Sequence, residues 1–139
     1  MTTIGLVGCA GQKLQRPAPA RDLYVSQLFR KTSAYVERHC DAWYILSAKH
    51  GLVHPDTVLE PYNVRLGDVK TGPPVWGWAK NVTEQLNDTL ADVDDPHLLV
   101  LAGEQYRTIL RLTDLPFEVP MKGLGIGEQL GWLTRELAA

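Results

Sequence analysis

Only two cysteines, Cys9 and Cys40, occur in 139 residues, so no disulfide framework is available and a reducing cytoplasm is the expected setting. The opening string MTTIGLVGCAG has no basic leader, and its apolar run is too short for a secretory signal or a membrane helix. Surplus positive charge is missing too: the formal net charge of -2 argues against a broadly cationic nucleic-acid binder. There is no CxxC pair, no Walker spacing and no dinucleotide fingerprint behind a leading strand, so a zinc finger, a nucleoside triphosphate site and a dinucleotide site are all disfavoured. His50 and His54 stand four apart, but Gly51 and Pro55 break any helix between them. His39, Cys9 and Cys40 do not complete a four-ligand pattern, and neither a metal nor a cofactor is expected. No internal repeat, low-complexity segment or linker interrupts the chain, which is expected to be a single domain over residues 1–139 and a monomer.

What is present is an ordinary globular composition, 45% hydrophobic and 22% charged, enough to build a core without staples. The charge is unevenly spread. Residues 1–50 carry seven Lys/Arg against three Asp/Glu, which leaves the remainder at -6 and gives the N-terminal part a basic face suited to phosphate.

The elements alternate. Thr3–Val7 predicts a buried first strand ending at Gly8 and Cys9. Residues 10–23, with Gly11, Pro17 and Pro19, predict an irregular loop. Ser26 predicts the cap of a helix running to about His39, with Leu28, Phe29, Thr32, Tyr35 and Val36 at helical spacing. Ala42–Leu46 is the second strand, followed by a long polar segment to about Thr71. Pro73 and Pro74 suit a helix start, and Val75, Trp78, Ala79, Val82, Leu86 and Leu90 form its stripe. Trp76 and Trp78 lie about 200° apart on that helix, so only one faces inward. His97–Ala102 is a third strand, Gly103 opens a short helix, Phe117–Val119 is a fourth strand, and a last helix turns Leu130, Leu133 and Leu137 inward. The order predicts an α/β fold, a three-layer α/β/α sandwich around a central four-stranded, mostly parallel sheet.

In such sheets ligands bind beyond the carboxyl ends of the strands. That rule collects Cys9, Gln12, Lys13, Arg21, Asp22 and Tyr24 after strand one. After strand two it collects Ser47, Lys49, His50, Asp56, Glu60 and Tyr62, and after strand three Gly103, Glu104 and Tyr106. The string GCAGQK suits a phosphate cradle, because small residues let backbone N–H groups approach an anion and Lys13 adds charge; a plain small-residue turn explains it equally well. Tyr24, Tyr62 and Tyr106 offer flat faces for a base. Of the carboxylates, Asp56 in HPDT reads as turn-forming, and Asp22 in PARDLY is the better candidate for orienting water or facing a developing cation.

The strings LVGCAGQK, PARDLY, WYILSAKHGLVHPDTVLEPY and LGIGEQLGWL together resemble an uncharacterised domain family of bacteria and phages, over nearly the whole chain. Many relatives carry C-S-x-x-K after strand one; Cys9 and Lys13 match that pattern, and Ala10 stands in place of the serine. A more distant similarity is to the uracil-DNA-glycosylase-like module of archaeosine synthase. The glycosylase motifs G-Q-D-P-Y-H and H-P-S-P-L are absent. The resemblance implies a glycosylase-like sandwich that flips a modified, even hypermodified phage base from DNA and hydrolyses its N-glycosidic bond, with a setting in anti-phage defence. On that reading Asp22 orients water or faces the oxocarbenium ion, Lys49 or His50 stabilises the leaving base, and Tyr24 and Tyr62 hold it. Lys13 and Arg21 grip phosphates. Three other functions remain open: a nucleoside or nucleotide N-glycosidase or deoxyribosyltransferase, a non-catalytic module that senses modified nucleic acid, and an accessory domain whose polar residues only fix loops.

Overall fold

The first strand, β1 (Thr2–Gly8), is apolar on both sides and lies in the middle of the sheet. In the computed structural model, which describes residues 1–9 and 11–139, β1 pairs in parallel with β3 (Ala42–Ser47) on one side and β6 (Pro96–Leu101) on the other. A two-residue strand, β7 (Phe117–Glu118), extends the sheet in parallel beyond β6. On the opposite edge β4 (Gly51–Val53) runs antiparallel to β3, giving the order β4-β3-β1-β6-β7. The sheet is therefore five-stranded and mixed rather than four-stranded.

The extra strand was concealed in the sequence by its shortness. Ser47 pairs with Gly51 across a turn of Ala48, Lys49 and His50, and Gly51 takes φ +74°, the left-handed conformation a three-residue hairpin demands. So the segment after β3 returns along the sheet before it becomes a loop.

Side chains partition between the two faces with a period of two, as a pleated strand requires. Val7, Ile45, Leu99 and Leu101 join one core, beneath α2 (Gln27–His39) and α4 (Ile126–Ala138). Ile4, Leu6, Leu46, Leu98 and Val100 join the other, beneath α3 (Val75–Thr89) and the 3-10 helix Tyr106–Arg111. Helices thus cover both faces of the sheet. Helix α2 sits very close to β1, because a Cβ on Gly5 would lie 2.8 Å from Val36. The Ser26 side chain caps α2 by accepting from the Phe29 N–H at 3.2 Å. Trp78 is buried and Trp76 exposed, as the helical spacing required.

The segment expected to be an irregular loop carries more order than its prolines suggested. Strand β2 (Ala18–Pro19) pairs antiparallel with β5 (Val58–Leu59), and α1 (Ala20–Leu23) follows at once. The backbones of Ala20 and Arg21 donate to Thr57 and Pro55, and Lys13 bridges to Tyr24. Proline at the edge of a two-stranded ribbon leaves no inner ladder bond unmade. The Ala10 position of the GCAGQK string lies outside the described residues. Among the described residues no helix is long and apolar enough to cross a membrane.

Candidate functional site

The parallel strands end together, and that brings three distant segments into one polar cluster. Cys9 prolongs β1 by donating its N–H to Leu46 O at 3.1 Å. Ser47 closes β3, Tyr24 follows α1, Tyr62 comes from the segment after β5, and Tyr106 opens the 3-10 helix. The Tyr62 hydroxyl lies 2.7 Å from Ser47 Oγ, 2.5 Å from the Tyr24 hydroxyl and 3.7 Å from Cys9 Sγ. The Tyr106 hydroxyl completes the set at 3.5 Å from the same sulfur.

Hydrogen counting gives this cluster a direction. Ser47 Oγ accepts the His50 N–H at 3.1 Å, which frees its own proton for Tyr62. With Tyr24 also donating to Tyr62 Oη, the Tyr62 proton goes to Cys9 Sγ. Every hydroxyl is then satisfied inside the protein, and the sulfur becomes the sink of the network. The Ser47 carbonyl is held from behind by the Trp78 indole N–H at 2.8 Å, a contact that the sequence did not foreshadow.

Burial decides the protonation of this cluster. It pushes Tyr24 up to about 12, with the neighbouring Cys9 adding to the effect. Tyr62 and Tyr106 are raised for the same reasons in the same order. All three phenols therefore stay protonated across the physiological range. His50 is lowered from its usual value, first by burial and then by the neighbouring Lys49 charge, so at neutral pH its imidazole is neutral.

Cations ring the phenols. Lys13 Nζ stands 4.7 Å from the Tyr62 ring centre and 5.6 Å from that of Tyr24, while Lys49 Nζ is 5.8 Å from Tyr62. The His50 ring meets the Tyr62 ring edge-on at 5.3 Å. Beside them opens a cleft of about 480 Å³ with Cys9 and Tyr106 against it, cations from Lys13 and Arg65, and the amides of Gln12, Asn63 and Gln105. Among the described residues no carboxylate lines it. A smaller cavity of about 230 Å³, largely apolar, lies on Cys9 and Tyr106 too, bounded by Leu28, Met121 and Leu124, with Gly103 and Glu104 at one side.

Eleven of the residues expected at the site thus gather there: Cys9, Gln12, Lys13, Tyr24, Ser47, Lys49, His50, Tyr62, Tyr106 and, in the adjoining cavity, Glu104 with its neighbour Gly103. Three do not join them. Arg21 is engaged elsewhere, donating to Glu37 at 2.7 Å and to Asp56 at 2.8 and 3.0 Å on an exposed face. That pairing also accounts for Asp56. Asp22 is exposed on α1, and no bond ties it to the tyrosines. Asn63, Arg65 and Gln105 were missed; a polar stretch after a strand offers no periodicity to pick them out, and only the folding back of residues 60–74 brings Asn63 and Arg65 to Gln105 at the cleft.

Over 96 residues the chain is 33% identical to an uncharacterized protein, YfjM, of Bacillus subtilis, covering 68% of this chain and 61% of that one. Over 102 residues it is 28% identical to a UPF0246 protein of Psychrobacter cryohalolentis, covering 70% of this chain and 36% of the other. The matched stretches span less than two thirds of either relative's length. A family model described as a family of unknown function, DUF6884, matches residues 4–135, a span that runs from β1 into α4 and takes in every residue of the polar cluster. The chain belongs to the DUF6884 family.

Proposed function

We propose that this chain binds a nucleotide extruded from DNA in the cleft at the strand ends and hydrolyses its N-glycosidic bond, with a modified base as the leaving group. The observation that carries this reading is the cleft itself. It is nucleotide-sized, it pairs Lys13 and Arg65 with three side-chain amides, and among the described residues it lacks any carboxylate that would repel phosphate. Amides of Asn and Gln suit the edge of a base, and the rim of Tyr106 supplies aromatic surface. The distant likeness to the glycosylase-like module of archaeosine synthase, and a place in anti-phage defence, belong to the same reading.

The chemistry divides between two ends of the site. When the C1′–N bond breaks, its electron pair leaves with the base, and water supplies the new C1′–O bond and a proton. Lys13, with Lys49 beyond Tyr62, stabilises the departing negative charge; a neutral His50 is available to donate a hydrogen bond. Glu104 rather than Asp22 then orients the water, since it follows β6 directly and lines the cavity that Cys9 and Tyr106 share.

Incubation with DNA carrying deaminated, hydroxymethylated or glucosylated bases, followed by alkaline cleavage, reads the abasic product. Glu104→Gln is expected to abolish cleavage of the accepted substrate by 100-fold or more, on the order expected for loss of a general base. Asp22→Asn is expected to keep it. Abolition by Asp22→Asn with Glu104→Gln intact would reverse that assignment, and binding without cleavage of any substrate would leave a sensing module. The single-nucleotide volume of the cleft also favours a nucleoside or nucleotide N-glycosidase, which salt separates: strand binding weakens steeply with added salt and nucleoside hydrolysis does not.

A further inference from the structure

A second cleft, of about 520 Å³, opens between the first turn of α3 and the 3-10 helix, and its lining brings two aromatic rings together with three cationic side chains. Trp76 is 55% exposed and Phe117 46% exposed, large apolar rings that no core cluster absorbs. Arg107, Arg111 and Lys122 stand with them, against the single carboxylate of Glu104. Arg107 also carries a buried Nε–H that has no hydrogen-bond partner among the described residues. Arg107 and Glu104 line this cleft and the inner cavity alike, so the two spaces share a wall.

We propose that this cleft is a groove for an unpaired nucleic-acid strand, with bases stacked on Trp76 and Phe117 and phosphates held by Arg107, Arg111 and Lys122. The proposal rests on the nucleic-acid reading above and extends it: the strand leading to the extruded nucleotide runs over the outer face of the 3-10 helix. Exposed rings beside cations form the sequence-tolerant platform that single strands require, because every base has a face to stack and every linkage a charge. A three-to-one excess of cations here, on a chain of net charge -2, is a local match to a polyanion. A duplex offers its base faces to no such ring, and an acidic peptide lacks the flat groups that would cover Trp76.

The test uses a short fluorescein-labelled oligothymidine, which has no modified base to excise, so its binding reads the groove whatever becomes of the cleavage reaction. The expected result is preference for the single strand over the matching duplex, and affinity roughly tenfold weaker in Trp76→Ala. Trp76→Tyr restores it, because a ring is all that stacking needs. Arg111→Gln shallows the dependence of log affinity on log salt by about 0.7, the increment for one phosphate contact on a single strand. Both side chains are exposed, so thermal melts of the variants are expected to match the parent. Unchanged affinity in Trp76→Ala overturns the proposal, as does tighter binding of the duplex or of heparin, which is charged without bases. Loss of strand binding alongside turnover of a free nucleoside would sink the groove and leave the excision chemistry standing.

Discussion

Two clusters of polar side chains sit within a few residues of each other in sequence and behave oppositely. Tyr24, Ser47, Tyr62 and Tyr106 are hydroxyl side chains, enclosed and bonded to one another and to Cys9. Arg21, Glu37 and Asp56 are charged, paired and exposed, with side chains 38%, 47% and 68% accessible. By formal charge the second group is the more reactive. By environment it is the quieter one, since water screens its charges and satisfies whatever the partners leave unmade. The first group has no such recourse: each proton must be placed by a neighbour, and that requirement fixes geometry around Cys9.

Tyr62→Phe should give the sharpest contrast. The ring stays, and the hydroxyl that receives Ser47 and Tyr24 and donates to Cys9 disappears. Tyr24 is 1% exposed, so its phenol has no water to turn to. The expected loss is about 2 kcal/mol, the cost of a buried donor left unsatisfied. It would be read as a lower urea midpoint at unchanged m-value. A loss below about 0.5 kcal/mol, typical of surface changes, would erase the distinction between the clusters.

Alkaline titration separates them next. Tyr24 is raised from 10.0 to about 12, and Tyr62 and Tyr106 move the same way, chiefly through burial. Above pH 10 the unfolded chain sheds phenolic protons that the folded chain keeps, so folding stability is full below pH 10 and falls as the pH climbs toward 12. Stability measured by denaturant midpoint from pH 8 upward is expected to turn down beyond pH 10. Tyr24→Phe should flatten that slope. The exposed ion triad contains no phenol, so an equally steep fall in Tyr24→Phe would place its origin outside Tyr24.

The same contrast explains what could be read from the amino-acid sequence. Strand β1, helix α2 with its Ser26 cap, the prolines before α3 and the burial of Trp78 over Trp76 were legible, because hydrophobic period and capping chemistry are local. The convergence of Cys9, Ser47, Tyr62 and Tyr106 was legible as well, from the rule that parallel strands present their carboxyl ends together. Strand β4 was hidden, since three residues between Gly51 and Val53 are too few to show a period. Asp22 in PARDLY reads as a site residue because Arg21 and Tyr24 beside it carry charge and a ring toward the sheet edge; helix α1 instead points it to solvent, an outcome set by how the backbones of Ala20 and Arg21 dock on Thr57 and Pro55. Arg65 and Gln105, forty residues apart, meet only through tertiary folding.

Asp56→Asn completes the comparison at its weak end. The substitution keeps the shape of the side chain and an oxygen that Arg21 can still reach at 2.8 Å, and removes only the charge. Arg21 retains Glu37 at 2.7 Å and the face of Trp43 at 5.8 Å, so it has no reason to move. Exposed pairs of this kind contribute roughly 0.2–1 kcal/mol, and a network member with a second partner belongs at the lower end. The expected change in denaturant midpoint is therefore close to the limit of measurement, and smaller again in high salt, where screening has already weakened the pair. The nucleotide binding proposed for the cleft should not change at all, because Asp56 does not line it. A folded Asp56→Asn protein that has lost binding or cleavage would mean that the surface carboxylates govern the chemistry, and the enclosed tyrosines would then be scaffold alone.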